Sequence, residues 1–158
     1  MSMLARFRKP GGVQQLVVLL ESCLTKKREA LLTTIEGEDK EFAMMVKAKV
    51  LTAARIFKWD PLVVSEATTK LGDRTLAIAL KGLPPECVAI ALHTSRDLKK
   101  RDIMNLLETI KPTPVEIESA HIKLVETVRT LEKEGAIKLD ANDNPVAAAT
   151  SASVKKVA

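Results

Sequence analysis

Apolar residues along the chain recur at helical intervals, in segments separated by Gly, Pro and capping residues. Leu16, Leu19, Leu20 and Cys23 predict a first helix over residues 13–23. Leu31, Leu32 and Ile35 predict a second over residues 26–36, ended by Gly37. Asp39 then caps a long third helix whose stripe is Phe42, Val46, Val50, Ala53 and Phe57. Asp60-Pro61 reads as an N-cap followed by Pro at the first helical position. The short helix behind it carries Leu62, Val63 and Val64 and stops near Gly72. Asp73 opens Leu76-Ala77-Ile78-Ala79-Leu80, closed by Gly82, and Pro84-Pro85 starts a segment that buries Val88, Ile90, Ala91 and Leu92. Thr94 or Ser95 is expected to cap a charged helix to about Ile110, where Lys111-Pro112 stops it. Thr113-Pro114-Val115-Glu116 is a capping box, and behind it run Ile117, Ala120, Leu124, Val128 and Leu131 until Gly135. Eight helices and no strand predict an all-α array.

Composition supports that reading and removes several function classes. The 158 residues amount to one ordinary domain or two very small ones. Aromatic residues are only 3% of the chain, with no Tyr, while 46% is apolar, a balance that favours helix over strand. No run of about 18 apolar residues exists, so no direct membrane insertion is expected. The opening M-S-M-L-A-R-F-R-K-P-G-G is basic but runs straight into Pro and Gly, unlike a secretory signal. Two Cys and two His furnish neither a disulfide framework nor a conventional zinc site. No Gly-rich phosphate loop, G-x-S-x-G elbow or H-E-x-x-H occurs, so no catalytic, cofactor-binding or metal residue is assigned and no cofactor is expected. Cys23 and Cys87 are expected to pack as small hydrophobes, and His93 and His121 to be structural or exposed. Met44 and Met45 should pack in the core or on a neighbouring helix, and Glu126 and Arg129 should form a surface pair.

The net charge of +5 adds little specificity. Arg6, Arg8 and Lys9 sit in an opening stretch, residues 1–10, read as a basic flexible arm. Elsewhere bases alternate with acids, as in Arg96-Asp97-Leu98-Lys99-Lys100-Arg101-Asp102, which reads as a solvated helix face. There is no basic stripe with interleaved aromatics, so nucleic acid is not the expected partner. Residues 140–158 lack periodicity and bulky anchors and read as a disordered tail. What remains is helix surface, which points to a binding or assembly protein.

Several strings narrow this further in combination. Gly11-Gly12-Val13 opens the helices, and Glu38-Asp39-Lys40-Glu41-Phe42 precedes the third. Leu76-Ala77-Ile78-Ala79-Leu80-Lys81-Gly82 follows, then Pro112, then Val128-Arg129-Thr130-Leu131-Glu132-Lys133-Glu134-Gly135-Ala136-Ile137. In this order the chain resembles the C-terminal half of the flagellar motor switch protein FliG family, over about Gly11 to Leu139. The resemblance implies an armadillo-like helical rotor protein without an active site. It implies an armadillo-like stacking motif with a connecting helix over residues 11–58 and a torque-type helical domain over 59–139. The expected partners are proteins: switch-ring or stator components, and further copies of the chain through helix stacking. The implied location is cytoplasmic, at the face of the flagellar basal body.

Carried over by position, the family's charged, stator-facing ridge falls on Lys81, Arg96, Lys99, Lys100, Arg101 and Glu108. The family's acidic pair falls on neutral Asn105-Leu106, with Glu108 the nearest substitute, and a later basic position falls on Pro114. Spacing from Lys81 puts the family's aromatic hinge motif at Val50-Leu51-Thr52-Ala53, rather than at the look-alike Ile56-Phe57-Lys58-Trp59. The family's N-terminal anchoring domain has no counterpart here, so a divergent paralogue or accessory subunit is expected. An adaptor that kept this fold but binds a non-flagellar protein is the second reading, and nucleic-acid binding through the arm the third.

Overall fold

The computed structural model describes residues 3–140, 144 and 145. The chain forms two compact units, Met1–Leu51 and Thr52–Ala158. The first holds a 3-10 turn, Met3–Phe7, then α1 (Gly12–Glu21), α2 (Thr25–Glu38) and α3 (Lys40–Lys49). The second holds α4 (Ala53–Ile56), α5 (Pro61–Thr69), α6 (Asp73–Lys81), α7 (Pro85–Thr94), α8 (Asp97–Thr109) and α9 (Pro114–Lys133). The fold is all-α, as expected. Among the described residues the only β feature is an isolated antiparallel bridge between Leu139 and Pro145. Of the expected tail only Asp140, Asn144 and Pro145 are described, and the Asn144 side chain accepts a bond from Arg55 at 2.9 Å. No helix among the described residues is long and apolar enough to cross a membrane.

The opening stretch is packed where an unpacked arm was expected. Leu4 and Phe7 share one apolar cluster with Leu16, Ile35, Phe42 and Val46. Leaving that pair in water would forgo the burial of two large side chains. Arg8 donates to Asp39 at 2.8 Å, and its guanidinium lies 5.1 Å from the centre of the Phe42 ring. Arg6 covers the Phe7 ring in the same way. Asp39 also accepts the Phe42 N–H at 3.0 Å, which makes it the expected N-cap of α3. The Phe42 N–H first, and then Arg8, hold the Asp39 carboxyl below the ordinary aspartate range. Gly37 does not end α2, which runs one residue further, to Glu38.

The long third helix breaks in two. α3 ends at Lys49, Val50 and Thr52 are extended, and α4 starts at Ala53. Two acceptors compete with helix continuation here. Glu21 takes the Leu51 N–H at 2.8 Å, and the Thr52 hydroxyl takes the Arg55 N–H at 3.2 Å. All five stripe residues are buried, but Phe42, Val46 and Val50 belong to the first unit's cluster and Ala53 and Phe57 to the second unit. The stripe is real, and it serves two cores. Met44 and Met45 depart from expectation: Phe42, Ala43 and Val46 fill the inner face of α3, leaving Met44 64% exposed.

In the second unit α9 packs on α4, α5 and α6, and α6 also packs on α8. Its start is the expected capping box: the Thr113 hydroxyl accepts the Glu116 N–H at 3.2 Å, and Glu116 accepts the Thr113 N–H at 3.0 Å. Its end is a Schellman motif. Gly135 adopts φ 81°, so the Ala136 N–H reaches the Leu131 carbonyl at 2.9 Å and the Gly135 N–H reaches that of Glu132 at 3.1 Å. Ile137 then folds back into burial. Arg129 pairs forward with Glu132 at 3.2 Å, one turn on from itself, where Glu126 was the expected partner.

The approach of α9 to α6 depends on Gly82. A methyl group there would collide with the side chain of Ile117 and crowd the ring of His121. His121 Nε2 lies 2.8 Å from the Ala79 carbonyl oxygen, which can only accept, so Nε2 carries the proton and donates. Gly82→Ala should therefore destabilise the second unit by about 1–3 kcal/mol, read as a lower urea midpoint at unchanged slope. Asp39 makes stability pH-dependent. Its folded value is depressed, so its contribution is fully present above the ordinary value, about 4, and is lost as pH falls through the folded value. The difference in thermal midpoint between wild type and Asp39→Asn should be largest near neutral pH and shrink as the pH falls below the ordinary aspartate value, about 4.

Candidate functional site

The α8 helix carries most of the charge picked out from the sequence, and its cap is not the expected one. The Thr94 and Ser95 hydroxyls both turn back to close α7, donating to the carbonyls of Ile90 at 3.0 Å and Ala91 at 2.7 Å. The N-cap position falls on Arg96, whose side chain makes no cap bond. Asp97 in the first turn meets the positive end of the helix dipole. From Asp97 the positions 97, 100, 101, 104, 105 and 108 fall at intervals of three, one, three, one and three, which is one face of a helix. Asp97, Lys100, Arg101, Met104, Asn105 and Glu108 together line one shallow depression on that face.

Of the six ridge candidates, Lys100, Arg101 and Glu108 thus come together. Lys81, the exposed last residue of α6, and Arg96 do not line the depression. Lys99 turns the other way. Its ammonium donates to the Leu71 carbonyl at 2.9 Å and to Asp73 at 2.7 Å, and its side chain is only 20% exposed. It ties α8 to the start of α6 rather than presenting charge to a partner. Asp97 was passed over in the sequence, although its spacing to Lys100 and Arg101 was visible there. With it the face carries two acids flanking two bases, in the order acid, base, base, acid. Of the two residues expected at the family's acidic pair, Asn105 is exposed and Leu106 half-buried.

The other candidate chemistry is structural. Cys23 and Cys87 are buried free thiols, and burial, with Glu86 adding to it, pushes the Cys87 thiol up and away from nucleophilic thiolate. His121 is the tie to Ala79 described above, and His93 is exposed on α7. Among the described residues no group of three or more His, Cys, Asp or Glu is placed to hold a metal ion. The surface left for function is helix face.

A family model for the FliG C-terminal domain matches residues 33–139, which includes most of the second unit and all of α8. The chain belongs to the FliG C-terminal domain family. The flagellar motor switch protein FliG of Borreliella burgdorferi is 24% identical to this FliG-family chain over 135 residues, 83% of this chain and 38% of that protein. The chain therefore spans well under half of that relative's length. The crystal structure of FliG residues 86–343 from H. pylori superposes with a TM-score of 0.63 at 20% identity, covering 81% of this chain and 61% of that one. Full-length FliG from Aquifex aeolicus gives a TM-score of 0.51 at 26% identity, covering 78% of this chain and 39% of that one. The A-L-K-G and L-E-x-E-G-x-I strings that carry the resemblance now have physical roles. One supplies the Ala79 carbonyl and the bare Gly82 beneath α9, and the other is the Schellman end of α9.

The division of labour within α8 is directly testable. Lys99→Ala should cost about 1 kcal/mol of stability, the worth of a largely buried charged hydrogen bond discounted for its residual solvent contact. Lys100→Ala and Arg101→Ala should leave the urea midpoint unchanged.

Proposed function

We propose that this FliG-family chain is a non-enzymatic component of the flagellar motor switch, acting through helix-face contacts with other proteins at the cytoplasmic face of the basal body. The observation that carries this reading is the family match across residues 33–139, which spans the helix bearing the charged face. The working part of the ridge is the outward set Asp97, Lys100, Arg101 and Glu108, with Lys81 and Arg96 as outlying charges. Lys99 supports the ridge from behind. A face of both signs suits a partner loop that also carries both signs, such as a stator's cytoplasmic loop, because complementary placement sets orientation and approach more than raw affinity.

The first unit serves as an armadillo-like stacking module and the second as the torque-type domain. Val18, Leu19, Leu24, Met44 and Met45 are all exposed on the first unit, which supports the stacking reading. A repeat unit that stacks on neighbours has that property, since each repeat completes its burial against the next.

A fluorescent fusion in the native host should form foci at flagellar basal bodies, and deletion of the gene should alter swimming or switching. The double charge reversal Lys100→Glu with Arg101→Glu should reduce swimming while foci persist. Diffuse fluorescence with normal motility would overturn the flagellar reading and favour an adaptor for another protein.

A further inference from the structure

The outward face of α8 holds its charges without partners in the chain. Among the described residues no side chain forms an ion pair with Asp97, Lys100, Arg101 or Glu108. Met104 lies among them in the same shallow depression, 46% exposed. A single exposed Met is ordinary. What distinguishes this one is its place in the charge pattern. Lys100 stands four residues before it and Glu108 four residues after, so each lies about 6 Å along the axis and about 40° around the helix from it. The face is thus opposite in sign at equal distances on the two sides of Met104.

That pattern is complementary to itself. Two such helices, laid antiparallel about a two-fold axis through Met104, set Lys100 of each copy across from Glu108 of the other, twice by symmetry. Arg101, beside Lys100, adds to the positive side that meets the same carboxylate. Asp97, seven residues before Met104, comes opposite Lys111, seven residues after it and exposed just past the end of the helix. A parallel pair would instead place each charge on its like. We infer that the outward face of α8 docks antiparallel on the same face of a second copy of this chain, with the two Met104 side chains meeting at the axis. The face spans a helix of thirteen residues, less than a permanent interface needs, so the dimer is transient. Exposed ion pairs contribute little singly, and here they select register and orientation around an apolar centre. The pairing is separate from stacking through the first unit, and it rests on α8 and not on the flagellar reading. A paired face is closed to any other protein, so dimer and partner complex exclude one another.

The test is sedimentation equilibrium of the full chain, up to millimolar concentration. Lys100→Glu and Glu108→Lys should each weaken self-association by about tenfold or more, because two attractions become two repulsions. Neither should shift the urea midpoint, since both side chains are exposed. An equimolar mixture of the two variants should associate as strongly as wild type, because every charge then faces its opposite again. With the buried Cys23 and Cys87 left in place, Met104→Cys should cross-link copy to copy on mild oxidation much faster than Leu98→Cys. Leu98 is 71% exposed on the same helix but about 120° away around it. Self-association unchanged in Lys100→Glu, a mixture no stronger than its components, or equal cross-linking at the two thiols would each overturn the pairing. A wild-type chain that stays monomeric at millimolar concentration would do so as well.

Discussion

The second unit is organised by the contact between α9 and the end of α6, where Gly82 lets Ile117 and His121 come down onto backbone. A side chain at that point would hold the two helices apart, and close packing transmits such a displacement rather than absorbing it. Because α6 lies against both α9 and α8, its placement is inherited by the charged helix. The Lys99 bonds to Leu71 and Asp73 complete that chain of support. The outward face of α8 is therefore positioned from behind, by a glycine, an imidazole and an ammonium.

This arrangement accounts for the family resemblance in physical terms. The recurrent strings lie where backbone geometry rather than side-chain chemistry is at stake. Gly82 is required by close approach, and Gly135 by a left-handed turn that returns Ile137 to the core. Charge on the exposed face of α8 is under no such steric constraint.

Much of the scaffold was legible in the sequence because caps and glycines act locally. Asp39, Asp60 and Thr113 all cap as their spacing implied, through acceptors two or three residues from the donors they serve. What escaped sequence reasoning depends on residues remote in the chain. The break after α3 needs Glu21, thirty positions upstream of Leu51. The burial of Leu4 and Phe7 and the pairing of Arg8 depend on α3 being in place. Within α8, Lys99 and Lys100 are chemically alike neighbours, and only the position of Asp73 decides which one is structural. Charge patterning located the face, but the rotation of the helix decided its membership.

The apolar stripe shared between two cores has a consequence for how such a chain tolerates change. In an unbroken helix, adding or deleting one residue rotates everything downstream by about 100° and turns one whole apolar face away from its core. Here Phe42, Val46 and Val50 keep their register from Asp39, while Ala53 and Phe57 keep theirs from Thr52. A length change at the extended junction leaves both registers intact. Insertions and deletions at that point are therefore expected to spare the packing of both cores.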